Sequence, residues 1–434
     1  MNRRYFLSTA AAGGVQLLAA KRAHASPSDQ IRVALIGAGG RGGDHVRAIA
    51  RIPGVELVTV CDPDETRMAE KAASYEKIAG KKPALQQDLR HIMDDKSIDA
   101  VTIATCNHWH ALATIWACQA GKHVYVEKPV CHDFYEGSQM VAAARRYNRV
   151  VQGGTQARSS GRVRKGILAL QEGIIGEVYM ARCIHYQLRD SLGFKQPEQP
   201  PSTLNWDLWV GPGPMRPFNR NLVPYNWHWF WDFGNGELGN NGVHSLDVAR
   251  WGLKKELPSR IYSTGGRFGY KDQGQTPNTQ IATYSYDDGT EIVMEIRGRA
   301  SNAEGGMNNG VIFYGSKGFM EVISGSSVRV FLEGKTSPEP DLGTIEGAPE
   351  DRHEDDRHFL NFFAAMRANN REMLHAEIHE IHLSTALCLL GNISYRLGKE
   401  VRFDSTRRGF RDDPKTEAML KGVYRPPFTV PAVG

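Results

Sequence analysis

Residues Ile31 to Gly43 read IRVALIGAGGRGG, a largely apolar run (Ile31 to Ile36) that empties into Gly37, Gly39 and Gly42. This is the G-x-G-x-x-G spacing with which dinucleotide folds admit a pyrophosphate between a strand and a helix. Gly37 permits a tight turn, Gly39 carries no side chain to block the phosphates, and Gly42 lets helix and strand approach closely. The helix that follows offers free N–H groups and the positive end of its dipole. A second strand-like run, Val55 to Cys61, ends in Asp62, twenty residues past Gly42. A carboxylate at that distance suits the adenosine ribose hydroxyls and repels a 2′-phosphate, so the expected cofactor is NAD rather than NADP.

Outward from this stretch, strand-like and helix-like segments alternate to about Gly153, including Ala100 to Ala104, His123 to Glu127 and Val150-Val151. That rhythm predicts a doubly wound parallel sheet with right-handed crossovers. Its ligand belongs at the carboxyl ends of the strands, where Gly37, Asp62, Thr105 and Glu127 fall. Past Gly153 the rhythm changes. A strand-like Gly176 to Tyr186 precedes an irregular stretch rich in Trp, Pro and Asn, and short strand-like runs then follow one another from Arg260 to Leu332. These predict a second α/β domain with a large, mostly antiparallel, open-faced sheet. Helical segments at Asp355 to Ala368 and Ala376 to Leu397 precede a polar tail. The expected organisation is a leader over 1–25, a nucleotide domain over 26–153 and a substrate and oligomerisation domain over 154–434.

The leader carries Arg3 and Arg4, a weakly apolar Thr9 to Ala20, and Ala23-His24-Ala25 as a small-x-small cleavage signal. It resembles a twin-arginine export signal, which implies a periplasmic protein exported already folded. Removing it takes away Arg3, Arg4, Lys21 and Arg22 and no acid, so the formal charge falls from +5 to +1. No basic surplus then points to nucleic acid, and no later stretch reaches transmembrane length, so no stable membrane association is expected. Six scattered cysteines form no C-x-x-C and no metal spacing, and no metal site is predicted.

With Val126-Glu127-Lys128-Pro129 in view, the chain resembles the glucose-fructose oxidoreductase / inositol dehydrogenase (Gfo/Idh/MocA) family. The glycine loop, Asn107-x-x-His110, Glu127-Lys128-Pro129 and Gly242-x-His244-x-x-Asp247 occur in the family's order over nearly all of the chain past the leader. The resemblance implies that Asn107 and His110 lie by the cofactor ribose and nicotinamide, with Lys128 between nicotinamide and substrate. Arg41, in the glycine loop, and Gln156, just past the last strand of the first domain, complete the expected cofactor contacts. Pairing of subunits through the open sheet face, as a homodimer or homotetramer, is also implied by the resemblance. Two positions depart from the family. Cys106 stands where a proline is usual, which bears on loop rigidity. Asn240 stands where many members carry an aspartate four residues before the histidine.

Hydride transfer from a carbinol carbon needs a base at the hydroxyl and a cation for the developing alkoxide. Lys128, at a strand end on the ligand edge, suits the cation or a proton relay, and His244 suits a base titrating near neutrality. Asparagine at 240 adds no negative charge to raise that basicity, which leaves Lys128 with Tyr186, Asp232 or Glu237 as the other route. Between Asn205 and Trp231 lie five of the eight tryptophans, with Tyr225 and His228 among them. Indole faces suit the C–H faces of a pyranose, so the predicted substrate is a sugar or glycoside held by Tyr225, Trp227, His228, Asn240 and His244. Three activities stay open: a sugar oxidoreductase with tightly bound NAD(H), a glycoside hydrolase working by transient oxidation and elimination like the exported α-N-acetylgalactosaminidases, and a non-catalytic NAD-containing sugar-binding protein.

Overall fold

The computed structural model describes residues 30–299, 303–304, 306–323, 327–345, 353–410 and 413–433. The predicted export leader lies outside the described residues. Among them, no helix is long and apolar enough to cross a membrane.

Six parallel strands form the first sheet: β1 (Ile31–Ile36), β2 (Val55–Cys61), β3 (Ala84–Gln86), β4 (Ala100–Ile103), β5 (His123–Val126) and β6 (Val151–Gly153), in the spatial order β3-β2-β1-β4-β5-β6. The order reverses between β1 and β4, and that switch point opens the crevice in which doubly wound folds bind ligands. Five helices make the crossovers: α1 (Gly40–Arg51), α2 (Glu65–Ala79), α3 (Leu89–Asp94), α4 (Asn107–Gln119) and α5 (Phe134–Arg146). Their starts are written locally. Asp64, Asp88 and Asp133 cap α2, α3 and α5 by accepting from backbone N–H groups, and Asp133 with Glu136 completes a capping box.

After α6 (Gly161–Gln171) the second sheet begins with β7 (Val178–Tyr186). The chain then crosses the short helix α7 (Trp206–Val210) and helix α8 (Val243–Leu253) before β8 (Arg260–Gly266), β9 (Thr279–Ser285) and β10 (Glu291–Arg297). Strands β11 (Asn309–Gly315), β12 (Gly318–Ile323), β13 (Ser327–Leu332) and β14 (Val401–Arg402) complete an eight-stranded sheet ordered β13-β12-β11-β7-β10-β9-β8-β14. All described pairings in this sheet are antiparallel except β7 with β10. Burial alternates strictly along β9 and β10, so one face meets helices and the other stays open, with Tyr179, Tyr262 and Ile281 exposed.

The last two long helices tie the halves together. In α9 (Glu354–Arg367), Phe359, Phe362 and Phe363 join the core that holds β1, α1 and Tyr125, with Phe359 stacked 4.2 Å from the Tyr125 ring. Asp355 pairs with Arg41 and Asp356 with Arg51, clamping α9 along α1. A helix assigned by position to the substrate domain thus completes the core of the nucleotide domain. Helix α10 (Ile378–Leu397) packs on α5, α8 and β8 and is buried on nearly every side through Ser394, its polar His382, Ser384, Thr385 and Asn392 included.

Candidate active site

A cleft of about 440 Å³ runs along the carboxyl ends of β1, β2, β4 and β5 and is roofed by the irregular segment between β7 and α8. Its lining brings together Gly37, Gly39, Arg41, Asp62, Thr105, Asn107, His110, Glu127, Lys128, Tyr225, Trp227, His228 and Asn240. Residues separated by two hundred positions meet because the segment between β7 and α8 folds over the strand ends of the first sheet.

The glycines divide the work. Gly37 sits at φ +97°, and a Cβ there would lie 2.5 Å from the Ala104 carbonyl carbon, so this position is closed to side chains by the fold itself. A Cβ at Gly39 would meet no protein atom within 4 Å. Its bareness serves the cleft and not the packing. Gly42 lies outside the lining and lets α1 approach the turn, with a Cβ there falling 2.2 Å from the Gly37 carbonyl oxygen.

Asp62 ends β2 and accepts from the Ala38 N–H at 2.6 Å and the Asp64 N–H at 2.9 Å, which fastens the glycine loop to the second strand. Burial pushes its carboxyl up to about 6 despite these hydrogen bonds. Asn107, the first residue of α4, is buried at the cleft wall with its Oδ1 unpartnered, a state that natural interiors avoid unless a ligand supplies the donor. An orphan acceptor, a bare Gly39 and an acceptor-only Asp62 on one wall fit the hydroxyls and diphosphate of a nicotinamide dinucleotide.

His110 is less a ligand than a rivet. Its Nδ1 lies 2.7 Å from the Pro129 carbonyl and its Nε2 3.1 Å from that of Thr105, so it ties the ends of β4 and β5 together. Glu127 likewise faces inward: Arg41 Nε at 2.8 Å, His45 Nε2 at 3.0 Å and Gln156 Nε2 at 3.3 Å all reach its Oε1. Burial alone would raise this carboxyl, yet the Arg41 guanidinium, and then His45, outweigh it and hold Glu127 well below the usual carboxylate range. Arg41 is in turn committed to Glu127 and Asp355. Gln156 does not line the cleft and acts from behind, between Tyr125 and Glu127.

Lys128 donates from Nζ to the Asn240 carbonyl at 2.7 Å and has no carboxylate partner among the described residues. Burial lowers its pKa, only partly opposed by Glu127. Asn240 lies in a single π-turn, Leu238–Gly242, that leads into α8, and its amide reaches the Tyr225 hydroxyl at 3.4 Å. Trp227 stacks on His228 at 3.6 Å, and His228 Nδ1 donates to the Tyr225 carbonyl, which leaves Nε2 as an acceptor. Burial, then Lys128, pushes His228 down to about 3.

His244 differs from expectation. It does not line the cleft, stands half-buried in the first turn of α8, and makes no hydrogen bond to another described residue. Burial, then the Lys128 ammonium, pushes it down to about 3, which corrects the near-neutral titration expected of it. The alternative proton carriers also lie outside the lining. Tyr186 bonds Glu295 and Glu304 on the open sheet, and Asp232 pairs with Arg216. Glu237 is buried under Arg189, His185 and Asn241, where burial raises its carboxyl but His185 and Arg189 win and hold it at about 2. Asp247 is structural, held by Arg158 at 2.8 and 2.9 Å.

Sequence reasoning missed Arg67 at the adenosine end and Gln187, Arg189 and Asn241 at the other, all of which line the cleft. The last three belong to segments without periodicity, and no local signal marks them. Among the described residues no group of three or more His, Cys, Asp or Glu could hold a metal ion.

Residues 31–155 match the oxidoreductase family NAD-binding Rossmann fold, and residues 191–430 match the same family's C-terminal alpha/beta domain. The chain belongs to the Gfo/Idh/MocA oxidoreductase family. Its cofactor is NAD. Among relatives, inositol 2-dehydrogenase 1 of Saccharopolyspora erythraea is 34% identical over 39% of this chain and 50% of its own length. A glycosyl hydrolase family 109 protein of Shewanella pealeana is 31% identical over 34% of this chain and 37% of its own. The chain thus spans half or less of these two relatives. Among solved structures, the aldose-aldose oxidoreductase of Caulobacter crescentus, complexed with glycerol, superposes with a TM-score of 0.65 at 17% identity, covering 86% of this chain and 100% of that one. At that identity the likeness speaks for the fold.

Proposed function

We propose that this protein oxidises a secondary hydroxyl of a sugar or glycoside, with NAD held tightly in the cleft as hydride acceptor. The observation that carries this reading is Lys128. Its Nζ is presented just past the end of β5 inside the cleft, fixed by the Asn240 carbonyl and without a carboxylate partner among the described residues. A substrate hydroxyl set against Nζ gives its proton to Lys128 in its amine form, and the ammonium so formed stands beside the oxygen as it becomes a carbonyl. Burial lowers the pKa of Lys128, which eases its own exchange of protons and makes it the relay in place of His244. His228 Nε2 accepts from a neighbouring hydroxyl, while Trp227 and Tyr225 offer flat apolar surface to the ring. The test is spectroscopic: purified protein, with no nucleotide added, should carry NAD after denaturation and gain absorbance near 340 nm with a productive sugar. A folded preparation that neither carries nor binds NAD would sink the reading.

The glycosyl hydrolase family 109 relative supports a second reading, in which oxidation acidifies a neighbouring C–H, elimination expels the aglycone, and water and the hydride return. Release of a chromogenic aglycone without net nicotinamide reduction would favour it. For the assembly, we propose a homodimer or homotetramer paired through the open sheet face, supported by exposed Tyr179, Tyr262 and Ile281 and checked by light scattering. Export by the twin-arginine route is supported by Arg3 and Arg4 and checked by periplasmic fractionation of an Arg3→Lys/Arg4→Lys variant.

A further inference from the structure

A chain of alternating charge runs from helix α9 to Lys128. Asp355, in the first turn of α9 and 6% exposed, holds both Nη atoms of Arg41 at 3.0 and 2.5 Å. Arg41 turns its Nε to Glu127 at 2.8 Å, and Glu127 immediately precedes Lys128. The carboxylate between them has little room to move. A Cβ at Gly154 would fall 2.8 Å from the Glu127 carboxyl carbon, so bare backbone after β6 seats that group, and its Oε2 accepts from the Lys128 N–H at 3.4 Å. After burial, Glu127 and then Arg41 act most strongly on the Lys128 amine, and they oppose each other: the carboxylate favours its protonated form, the guanidinium its neutral form. Glu237 and Arg189 come next but pair with one another, and His110, His228 and His244 also feel the ammonium.

We propose that Asp355 is a positioning residue for proton transfer at Lys128: by gripping the far edge of Arg41 it aims Nε at Glu127 and offsets a cation that would otherwise face the amine uncompensated. This rests on the reading of Lys128 as the proton carrier. The neighbouring Asp356 clamps the same helix to α1 through Arg51, at 2.8 and 2.6 Å, with no hydrogen bond to Arg41 or Glu127. Asp355 also meets the exposed His353 at 3.6 Å, and Tyr125, His358, Glu354 and Arg51 feel its charge. With Asp355 neutral, Arg41 keeps Glu127 and Asp44, and its unanswered charge favours the amine form of Lys128. Oxidation draws on that form, so its pH range extends downward.

The experiment follows two pH dependences in NAD-loaded protein: single-turnover reduction by a productive sugar, and competitive acetylation of Lys128 read by peptide mass. Acetylation reports the amine fraction whether or not a sugar turns over. In Asp355→Asn both midpoints should fall by about half a pH unit or more, the size expected of one charge acting over roughly 10 Å through a partly solvated interior. Asp355→Glu should restore both. Asp356→Asn removes a comparable clamp on α9 and should leave both where the parent has them. Midpoints that stay, rise, or fall equally in Asp356→Asn overturn the proposal. Should Asp355→Asn fail to fold, the double variant Arg41→Gln/Asp355→Asn takes its place: with the cation gone, both midpoints should lie at or above the parent's, and a fall there overturns the proposal. A lowered acetylation midpoint in a protein whose NAD no sugar reduces upholds the charge chain and sinks the oxidoreductase reading.

Discussion

The adenosine end and the substrate end of one cleft are built by different means. At the adenosine end, backbone does the work: a left-handed Gly37, the Ala38 N–H on Asp62, and the starts of α1 and α4, all within a single sheet. At the substrate end, side chains from β5, from the irregular segment after β7, and from the π-turn before α8 converge on Lys128 and Arg189. Backbone geometry is set by local steric rules, so the first end is rigid and repeated with the fold. Side-chain convergence depends on every packed layer beneath it, so the second end is where specificity can vary.

Exchanging a methyl for hydrogen in the glycine loop breaks the comparison most sharply. Gly37→Ala forces a Cβ into the Ala104 backbone at positive φ and should cost about 3 kcal/mol or more, read as a lost or much lower unfolding midpoint. Gly39→Ala should melt as the parent does without cofactor, yet retain no NAD on purification, because its Cβ meets only the cleft. If Gly39→Ala kept its nucleotide, the pyrophosphate would not lie on this loop.

At the other end, Lys128→Met should lower single-turnover reduction of bound NAD by about 10²–10⁴ while leaving NAD content unchanged. A loss of both together would place Lys128 in cofactor binding and merge the two ends into one.

Acidification separates them again. Asp62 has its folded pKa raised to about 6, so in the apoprotein it takes up a proton as pH falls through 6. A ribose hydroxyl donating to the carboxylate then competes with that proton, and NAD affinity should fall by up to about tenfold per pH unit below 6. Glu237 has its folded pKa depressed to about 2. The stability it contributes is present above its ordinary value near 4.5 and is lost as pH falls toward 2, on the order of 3 kcal/mol in all. Between pH 6 and 5, therefore, cofactor affinity should drop in fluorescence titration while the urea midpoint of Glu237→Gln keeps its offset from the parent.

The smallest effect concerns the roof. Arg425 in the C-terminal tail donates to the Asp207 carboxylate and to the Asp207 and Gly211 carbonyls, holding α7 over the cleft. Arg425→Ala should cost about 1 kcal/mol and speed NAD release without changing turnover per bound nucleotide. Displacement by an added nucleotide analogue would time it.

Much of the first domain is legible in its residues alone. The strands at Ile31–Ile36 and Val55–Cys61 stand where their largely apolar runs place them, because strands covered on both faces are apolar along most of their length, with Arg32 and Glu56 near their less buried starts. The cofactor wall is partly legible with it, since Gly37, Gly39, Asp62 and Lys128 follow strand ends, whereas Asn107 comes from the resemblance to the family. Less can be read where periodicity stops. Residues 189–241 hold only short helical turns, and Arg189, Gln187 and Asn241 carry no mark in sequence of the cleft they line. Gln156 and His244 fall at family positions, but position along the chain says nothing of which side of Glu127 or Lys128 a side chain occupies.

The sequence by itself determined the periodicity, the capping residues and the glycine turn, because these are governed by interactions within a few residues. Tertiary structure alone decided that α9 covers the nucleotide sheet, that Glu127 turns inward to Arg41 and His45, and that Glu237 grips Arg189 beneath the cleft. Those outcomes depend on contacts across tens to hundreds of residues, where the burial of one charge is settled by whichever partner the fold brings beside it.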